Sequence, residues 1–179
     1  MAGPSSSLAR QSLDRAAIVE AALALLQADG LDQLSTRRLA RAVGVSGPSL
    51  YWHFKNMAEL RSHMAYALLA AAAAGHAQSD DWRVWLAEGA RAIRRAALSY
   101  RDGARLIAGA PPAEALRAQA APNMARLEAA GFSTQNARDA FVALTRYALG
   151  SAMAEQVAGR RSDRAFEYGL EALIAGLRP

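Results

Sequence analysis

The chain has 179 residues, 53% of them hydrophobic and 21% charged, which suits a folded protein with a sizeable core and excludes disorder by composition. Its formal net charge of +5 is compatible with a nucleic-acid partner, and every Lys/Arg position except Lys55 is an arginine, a choice that favours phosphate and guanine contacts but also follows from codon bias. With no cysteine, disulfides, thiolate catalysis and cysteine-based zinc sites are excluded, and His53, His63 and His76 stand in no metal-ligand motif.

Residues 1–13 are polar and read as a flexible arm without the apolar core of a signal peptide. Asp14 is placed to cap a first helix, in which Ile18, Ala22, Leu25 and Leu26 recur at amphipathic spacing and which Gly30 stops. Ser35 caps a second helix from Thr36 to about Ala42, with Leu39 and Val43 inward. Gly44 provides a turn. Ser46 then caps a third helix opening at Gly47-Pro48, where proline's missing N–H would have no helical partner. Asn56 caps a long fourth helix with Leu60, Met64, Ala67, Leu68 and Ala71 on one stripe. Its alanine-rich stretch over residues 65–75 is too short to span a bilayer, so the protein is expected to be cytoplasmic, with no membrane partner.

Residues 78–81 form a polar link to a helix from Trp82 to about Tyr100, which Arg101-Asp102-Gly103 breaks. Ala110-Pro111-Pro112 is a second break, and Pro122 predicts a kink or split in the helical pattern over residues 113–130. Gly131 ends that pattern, and Ser133 starts a helix running to about Val157. After a tight link over residues 159–163, Phe166, Leu170, Leu173, Ile174 and Leu177 mark the stripe of a last helix. No strand alternation and no internal repeat are present, so the fold class is all-α.

The stretch from Leu34 to Leu60 carries the chemistry. It holds Arg37, Arg38, Arg41 and Lys55 and no acid between Gln33 and Ala58, and its two short helices flank a glycine turn. A helix that enters the major groove needs small or flat residues near its start, which Gly47, Pro48 and Ser49 supply. Leu50 and Phe54 are spaced for the core, which leaves Tyr51 and Trp52, followed by His53, to touch phosphates and sugars. Thr36 and Arg37 open the preceding helix, where its positive end favours phosphate. Lys55 adds a further cation.

The stretch from Leu25 to Leu60 resembles the DNA-binding domain of the TetR family of bacterial one-component repressors. The carriers are the glycine-ended first helix, Thr36-Arg37-Arg38-Leu39-Ala40, and VSGPSLYWHFKN over residues 45–56. YRDGAR over residues 100–105, Gly131-Phe132-Ser133 with Ala148-Leu149-Gly150, and FEYGLEALIAGL over residues 166–177 resemble later segments of the tetracycline-repressor subgroup. The resemblance implies an N-terminal three-helix helix-turn-helix DNA-binding domain over residues 14–56. It is joined to a C-terminal helical ligand-binding and dimerisation domain over residues 57–179. Thr36, Arg37, Pro48, Tyr51, Trp52 and His53 match positions that contact bases or phosphates in the subgroup. Ser49 matches a threonine beside them. Gly47 stands at a base-reading glutamine and Met57 at a lysine, so the operator need not resemble a tetracycline operator.

Tetracycline-type repressors hold a magnesium–drug chelate, and this chain departs from them at each position. Ile107 stands at the metal-binding histidine and Ala154 at the metal-linked glutamate. Ala73 and Gly89 replace a drug-binding histidine and asparagine, while Asn123 keeps a carboxamide where the subgroup has glutamine. Glu155 is one residue away, a rotation of about 100° on a helix. The link after the long C-terminal helix is also shorter than in the subgroup. The expected effector is therefore a small apolar or aromatic molecule, without metal or cofactor. Met64, Leu68, Ile93, Ile107 and Pro111, together with Asn123, Met124, Phe141, Val142 and Thr145, are the expected pocket residues; taken singly each reads better as core, and only collectively do they suggest a pocket.

The last two long helices carry more apolar surface than one helix pair hides, so a homodimeric four-helix bundle is expected. Leu149, Met153, Phe166, Leu170, Leu173, Ile174 and Leu177 are its expected interface. The functional expectation is a repressor that binds a palindromic double-stranded operator and is released by its effector. An activator or architectural protein with a vestigial pocket is the alternative. A helical enzyme is the competing class, but no nucleophile–base pair or phosphate loop is visible. Asp80-Asp81 sits at a helix start, where acids cap.

Overall fold

A computed structural model describes residues 14–74, 79–118 and 120–179. The expected arm over residues 1–13 and the first residue of the polar link, Gln78, lie outside them. The described residues form α-helices and no strand. They are α1 (Arg15–Asp29), α2 (Thr36–Val43), α3 (Gly47–Leu50), α4 (Met57–Ala73), α5 (Trp82–Leu98), α6 (Gly103–Gly109), α7 (Glu114–Ala118), α8 (Ala120–Ala129), α9 (Thr134–Ala158) and α10 (Asp163–Gly176), with a 3₁₀ turn at Leu31–Gln33.

Several helix starts follow from capping chemistry. The Asp14 carboxylate accepts from the Ala17 N–H at 2.7 Å, Asn56 Oδ1 from Glu59 at 2.9 Å, Asp81 from Arg83 at 2.8 Å, and Ser133 Oγ from Asn136 at 3.1 Å. Ser46 departs from expectation. It makes no cap bond, and its hydroxyl instead meets the Ser49 hydroxyl at 2.7 Å. Pro122 lies in the first turn of α8, where no helical N–H is lost.

Two apolar cores result. The first joins Ile18, Ala22 and Leu26 of α1 to Leu39, Leu50, Phe54, and Leu60, Met64 and Leu68 of α4, and also takes in Ala96 and Leu106. It therefore runs on past Asn56 into the C-terminal helices. The second joins Trp82, Trp85 and Leu86 to Leu127, Phe132, Leu144, Phe166, Leu170 and Ile174. Trp82 meets Phe132 edge to face at 4.9 Å at one end of α5, and Arg94 pairs with Glu155 near the other. Helices α5 and α9 thus run in the same direction. Helix α10 runs back, since Asp163 also binds Arg94 while Pro179 lies beside Gly131.

A buried arginine organises this layer. Arg94 donates to Glu155 at 2.8–3.1 Å and to Asp163 at 2.6 Å, with its guanidinium carbon 4.6 Å from the Phe166 ring centroid. Burial alone would lower its pKa, but the hydrogen bonds to the two carboxylates raise it above the ordinary arginine value. One turn away Arg91 binds Glu167 through two nitrogens and holds that carboxyl below the usual range.

Gly169 marks the closest packing of α9 on α10. A Cβ there would lie 2.1 Å from the Tyr147 hydroxyl, which donates to the Phe166 carbonyl at 2.8 Å while the two rings stack. Glycine to alanine inside a helix ordinarily gains about 1 kcal/mol. Here Gly169→Ala is expected to lose about 1–3 kcal/mol by overpacking. The double variant Tyr147→Ala/Gly169→Ala should be less unstable than the two single losses added together, as read by urea unfolding.

Candidate nucleic-acid interface and effector site

Helices α2 and α3 sit about Gly44, which closes α2 in the left-handed region at φ 73°. Leu39 and Leu50 anchor them on α1 and α4. Helix α3 is a single turn, so Tyr51, Trp52 and His53 lie in the turn that follows it rather than on it. Tyr51 is 55% exposed and Trp52 88%, although Leu50 and Phe54 on either side are buried. Large exposed aromatics are the informative exception on a protein surface.

Thr36 and Tyr51 line one shallow groove with Leu39, Leu50, Phe54, Asn56, Met57 and Leu60, so the structure brings those two together. Pro48 is exposed, Gly47 and Ser49 are half-buried beside it, and His53 is half-buried. Nothing lies within 4 Å of a Cβ built on Gly47, so no packing requires a glycine there. Arg37 and Lys55 are exposed and, among the described residues, their side chains pair with no acid; Arg38 is bound to Asp29. Arg41, in the last turn of α2, is likewise exposed and unpaired. Its sequence signal is its place as one of four cations in an acid-free stretch.

The expected pocket residues are divided between the two cores and the surface. Met64 and Leu68 are buried in the first core. Ile93 and Met124 pack against the second core. Ile107 packs against the first core and also against Ala97, Ala104 and Ala152, where Leu149 and Met153 join it. Pro111 is exposed, and Asn123, Phe141 and Val142 are half-buried. Thr145 is half-buried, and its hydroxyl oxygen is shielded from solvent without a hydrogen-bond partner among the described residues. Glu155, the carboxylate next to Ala154, is engaged by Arg94, and Ala154 itself faces solvent. No cluster of three or more His, Asp or Glu side chains that could hold a metal occurs among the described residues.

The α10 stripe is used differently from expectation. Phe166, Leu170 and Ile174 are buried inside the protomer, because Trp82, Trp85 and Leu144 close over them. The large apolar residues left facing outward on α9 and α10 are Val157, Tyr168 and Leu173.

A polar junction links the two halves, and the sequence pattern singled out only part of it. Asp102 Oδ2 accepts from the Leu31 N–H at 2.9 Å, the Arg101 N–H donates to Gln27 Oε1 at 2.8 Å, and Arg101 Nη1 donates to the Ala28 carbonyl at 3.2 Å. Arg105 binds Asp32 at 2.8 Å and holds that carboxyl below its usual range. Gln156 donates to the Ala97 and Tyr100 carbonyls and accepts from the Ala104 N–H. A glutamine near the end of a long amphipathic helix gives little sequence signal, because such positions are usually solvated.

A helix-turn-helix with exposed aromatics and free arginines, fastened to a separate helical body, defines a DNA-binding regulator. The family model described as bacterial regulatory proteins, tetR family, matches residues 18–64. The model described as tetracyclin repressor-like, C-terminal domain, matches residues 74–162. The chain is 36% identical over 193 residues to the tetracycline repressor protein class A from transposon 1721 of Escherichia coli, across 89% of this chain and 88% of that protein. A TetR variant from Acinetobacter baumannii AYE in complex with minocycline superposes with a TM-score of 0.83 at 40% identity, covering 92% of both chains. ActR from Streptomyces coelicolor in complex with (S)-DNPA gives 0.81 at 27% identity, over 92% of this chain and 96% of that one. This chain belongs to the TetR family and is a transcriptional regulator with a helix-turn-helix DNA-binding domain.

Because Tyr51 and Arg37 are exposed, removing either side chain leaves the core intact. Tyr51→Ala and Arg37→Ala are each expected to weaken operator binding by about 1–3 kcal/mol with unchanged melting temperature. Fluorescence anisotropy at matched salt, on duplexes selected from a random pool, measures this.

Proposed function

We propose that the chain is a homodimeric repressor that reads a palindromic operator through Thr36, Arg37 and residues 47–53. Its release by a small apolar or aromatic effector, not a magnesium–tetracycline chelate, belongs to the same proposal. The observation that carries the effector reading is the setting of Ile107. It is half-buried among Leu149, Met153 and alanines, and Glu155, the carboxylate next to Ala154 in the chain, already serves Arg94. A hydrated magnesium ion needs oxygen ligands and a charge partner, and holding it against these side chains costs free energy. An apolar molecule loses nothing there. Relatives carry different ligands: the named complexes hold minocycline in one case and (S)-DNPA in the other.

Ile107 also touches the core under the DNA-reading helices, and Arg101, Asp102 and Arg105 bond the end of α1. A ligand that displaces α6 therefore moves α1 and α4, and with them the spacing of the two recognition helices. Release requires that the effector bind the spread state more tightly. Titration of the operator complex with tetracycline and magnesium is expected to leave DNA bound. Release at micromolar drug that chelation of magnesium abolishes would overturn the effector reading.

The dimer reading moves to the outer face of α9 and α10, where Val157 is 91% exposed and Tyr168 77%. Ala143, Gly150 and Ala154 lie exposed along the same helix as Val157, small enough for a second copy to approach closely. Val157→Arg/Leu173→Arg is expected to give a folded monomer in sedimentation. Leu170→Asp, at a core position, should unfold the protomer. A wild-type chain that stays monomeric at micromolar concentration would overturn the dimer.

A further inference from the structure

We propose that Arg160, Arg161 and Arg164, on and beside the link between α9 and α10, form a second DNA-backbone contact separate from the recognition helix. The proposal rests on the reading of the chain as an operator-binding regulator. All three side chains are exposed, and none has an acidic partner among the described residues. The one acid in their midst, Asp163, is taken by Arg94 from behind.

Their position follows from the bonds around them. Gln156, about one helical turn before Arg160, is held by Ala97, Tyr100 and Ala104 at the α5–α6 corner. The same corner is bonded through Arg101 and Asp102 to Gln27 and Leu31 at the end of α1. The 3₁₀ turn that begins at Leu31 leads into Thr36 and Arg37, the phosphate-facing start of α2. The arginine link thus sits at the end of the C-terminal body that bears on the DNA-binding helices. The far end carries Phe132, Gly131 and Pro179.

Charge at this end is unbalanced in one direction. Asp29 is paired with Arg38, Asp32 with Arg105, and Glu155 and Asp163 with Arg94. Arg37, Arg41, Arg160, Arg161 and Arg164 have no acidic partner among the described residues, a surplus of planar, phosphate-matching cations. Helix stabilisation accounts for only part of the link's charge. Arg160 and Arg161 follow the C-terminus of α9, where cations are favoured, but Arg164 lies in the first turn of α10, where they are not. A two-fold dimer presents the set twice, and the polyanion already held by the recognition helices is the partner this surface fits. An acidic protein docked there instead would leave DNA affinity unchanged when the link is altered.

The test uses the full chain and a duplex selected by the wild type from a random pool, extended by about one helical turn (~10 bp) on each side. Arg160→Ala/Arg161→Ala is compared with Arg138→Ala/Arg178→Ala, which removes the same charge from exposed positions toward the opposite end. Affinity is read as log Kobs against log salt, where each phosphate contact contributes a slope of about 0.9. The link variant is expected to lose about two to four units of slope for the dimer and at least tenfold in affinity at physiological salt. It should select the same sequence and melt at the same temperature. Adding Arg164→Ala should lower the slope further, and the control pair should change neither slope nor affinity beyond a small screening effect. Equal slopes for the link variant and the control overturn the second contact while leaving operator reading intact. A wild-type chain that binds no duplex overturns the operator reading, and this proposal with it.

Discussion

The polar junction built on the hydrogen bond from the Leu31 N–H to the Asp102 carboxylate, beside the apolar core that both halves share, sets the arrangement of the two halves. Asp102 is the one described residue other than glycine at positive φ, at 56°. That conformation costs an L-residue about 1–2 kcal/mol. The carboxylate offsets it by holding Leu31 and Arg105 at once. Gly30 makes the approach possible, because a Cβ at that position would sit 2.8 Å from the same carboxylate oxygen. The end of α1 and the corner between α5 and α6 are therefore bonded directly to each other. Helix α6 meets the core beneath the DNA-reading helices through Leu106 and Ile107 as well as through these polar bonds.

Helix α5 carries the opposite obligation. It lies against α4, α6, α9 and α10 and must satisfy an arginine in its buried face. Arg94 is bearable there because Glu155 approaches from α9, Asp163 caps the pair from α10, and the Phe166 ring covers it. A buried ion pair adds little net stability, but removing one partner leaves a charge without a counterion in a low-dielectric interior. The pair thus fixes the register of three helices more than it strengthens them. It also engages Glu155, the carboxylate next to Ala154 in the chain.

Much of the local structure was legible in the residues. Asp14, Ser35, Asn56, Asp81 and Ser133 begin helices through their own side chains, so the signal and its consequence lie within a few residues of one another. Leu50 and Phe54 buried beside exposed Tyr51 and Trp52 is a matter of spacing, and spacing is written in the chain. Ser46 was misleading because its hydroxyl had a second nearby partner, Ser49, with which it could bond instead of capping. The approach of Tyr147 to Gly169 left no trace in periodicity, since it depends on how deeply two helices interlock.

That the chain is helical, where many of its helices start and stop, and that residues 34–60 are built to meet DNA can all be read from the residues alone. Those properties rest on short-range effects, namely capping, periodicity and charge within a few turns. Only the tertiary structure decided which side of an apolar stripe became core. The α10 pattern of Phe166, Leu170 and Ile174 suits a dimer seam as well as a protomer interior, and the choice fell to the tryptophans of α5 that close over it. Likewise Ile107 could not be joined to Leu149 and Met153, or Asp102 to Leu31, by anything local. Such pairings are set by long-range packing, in which many weak contacts far apart in the chain are satisfied together.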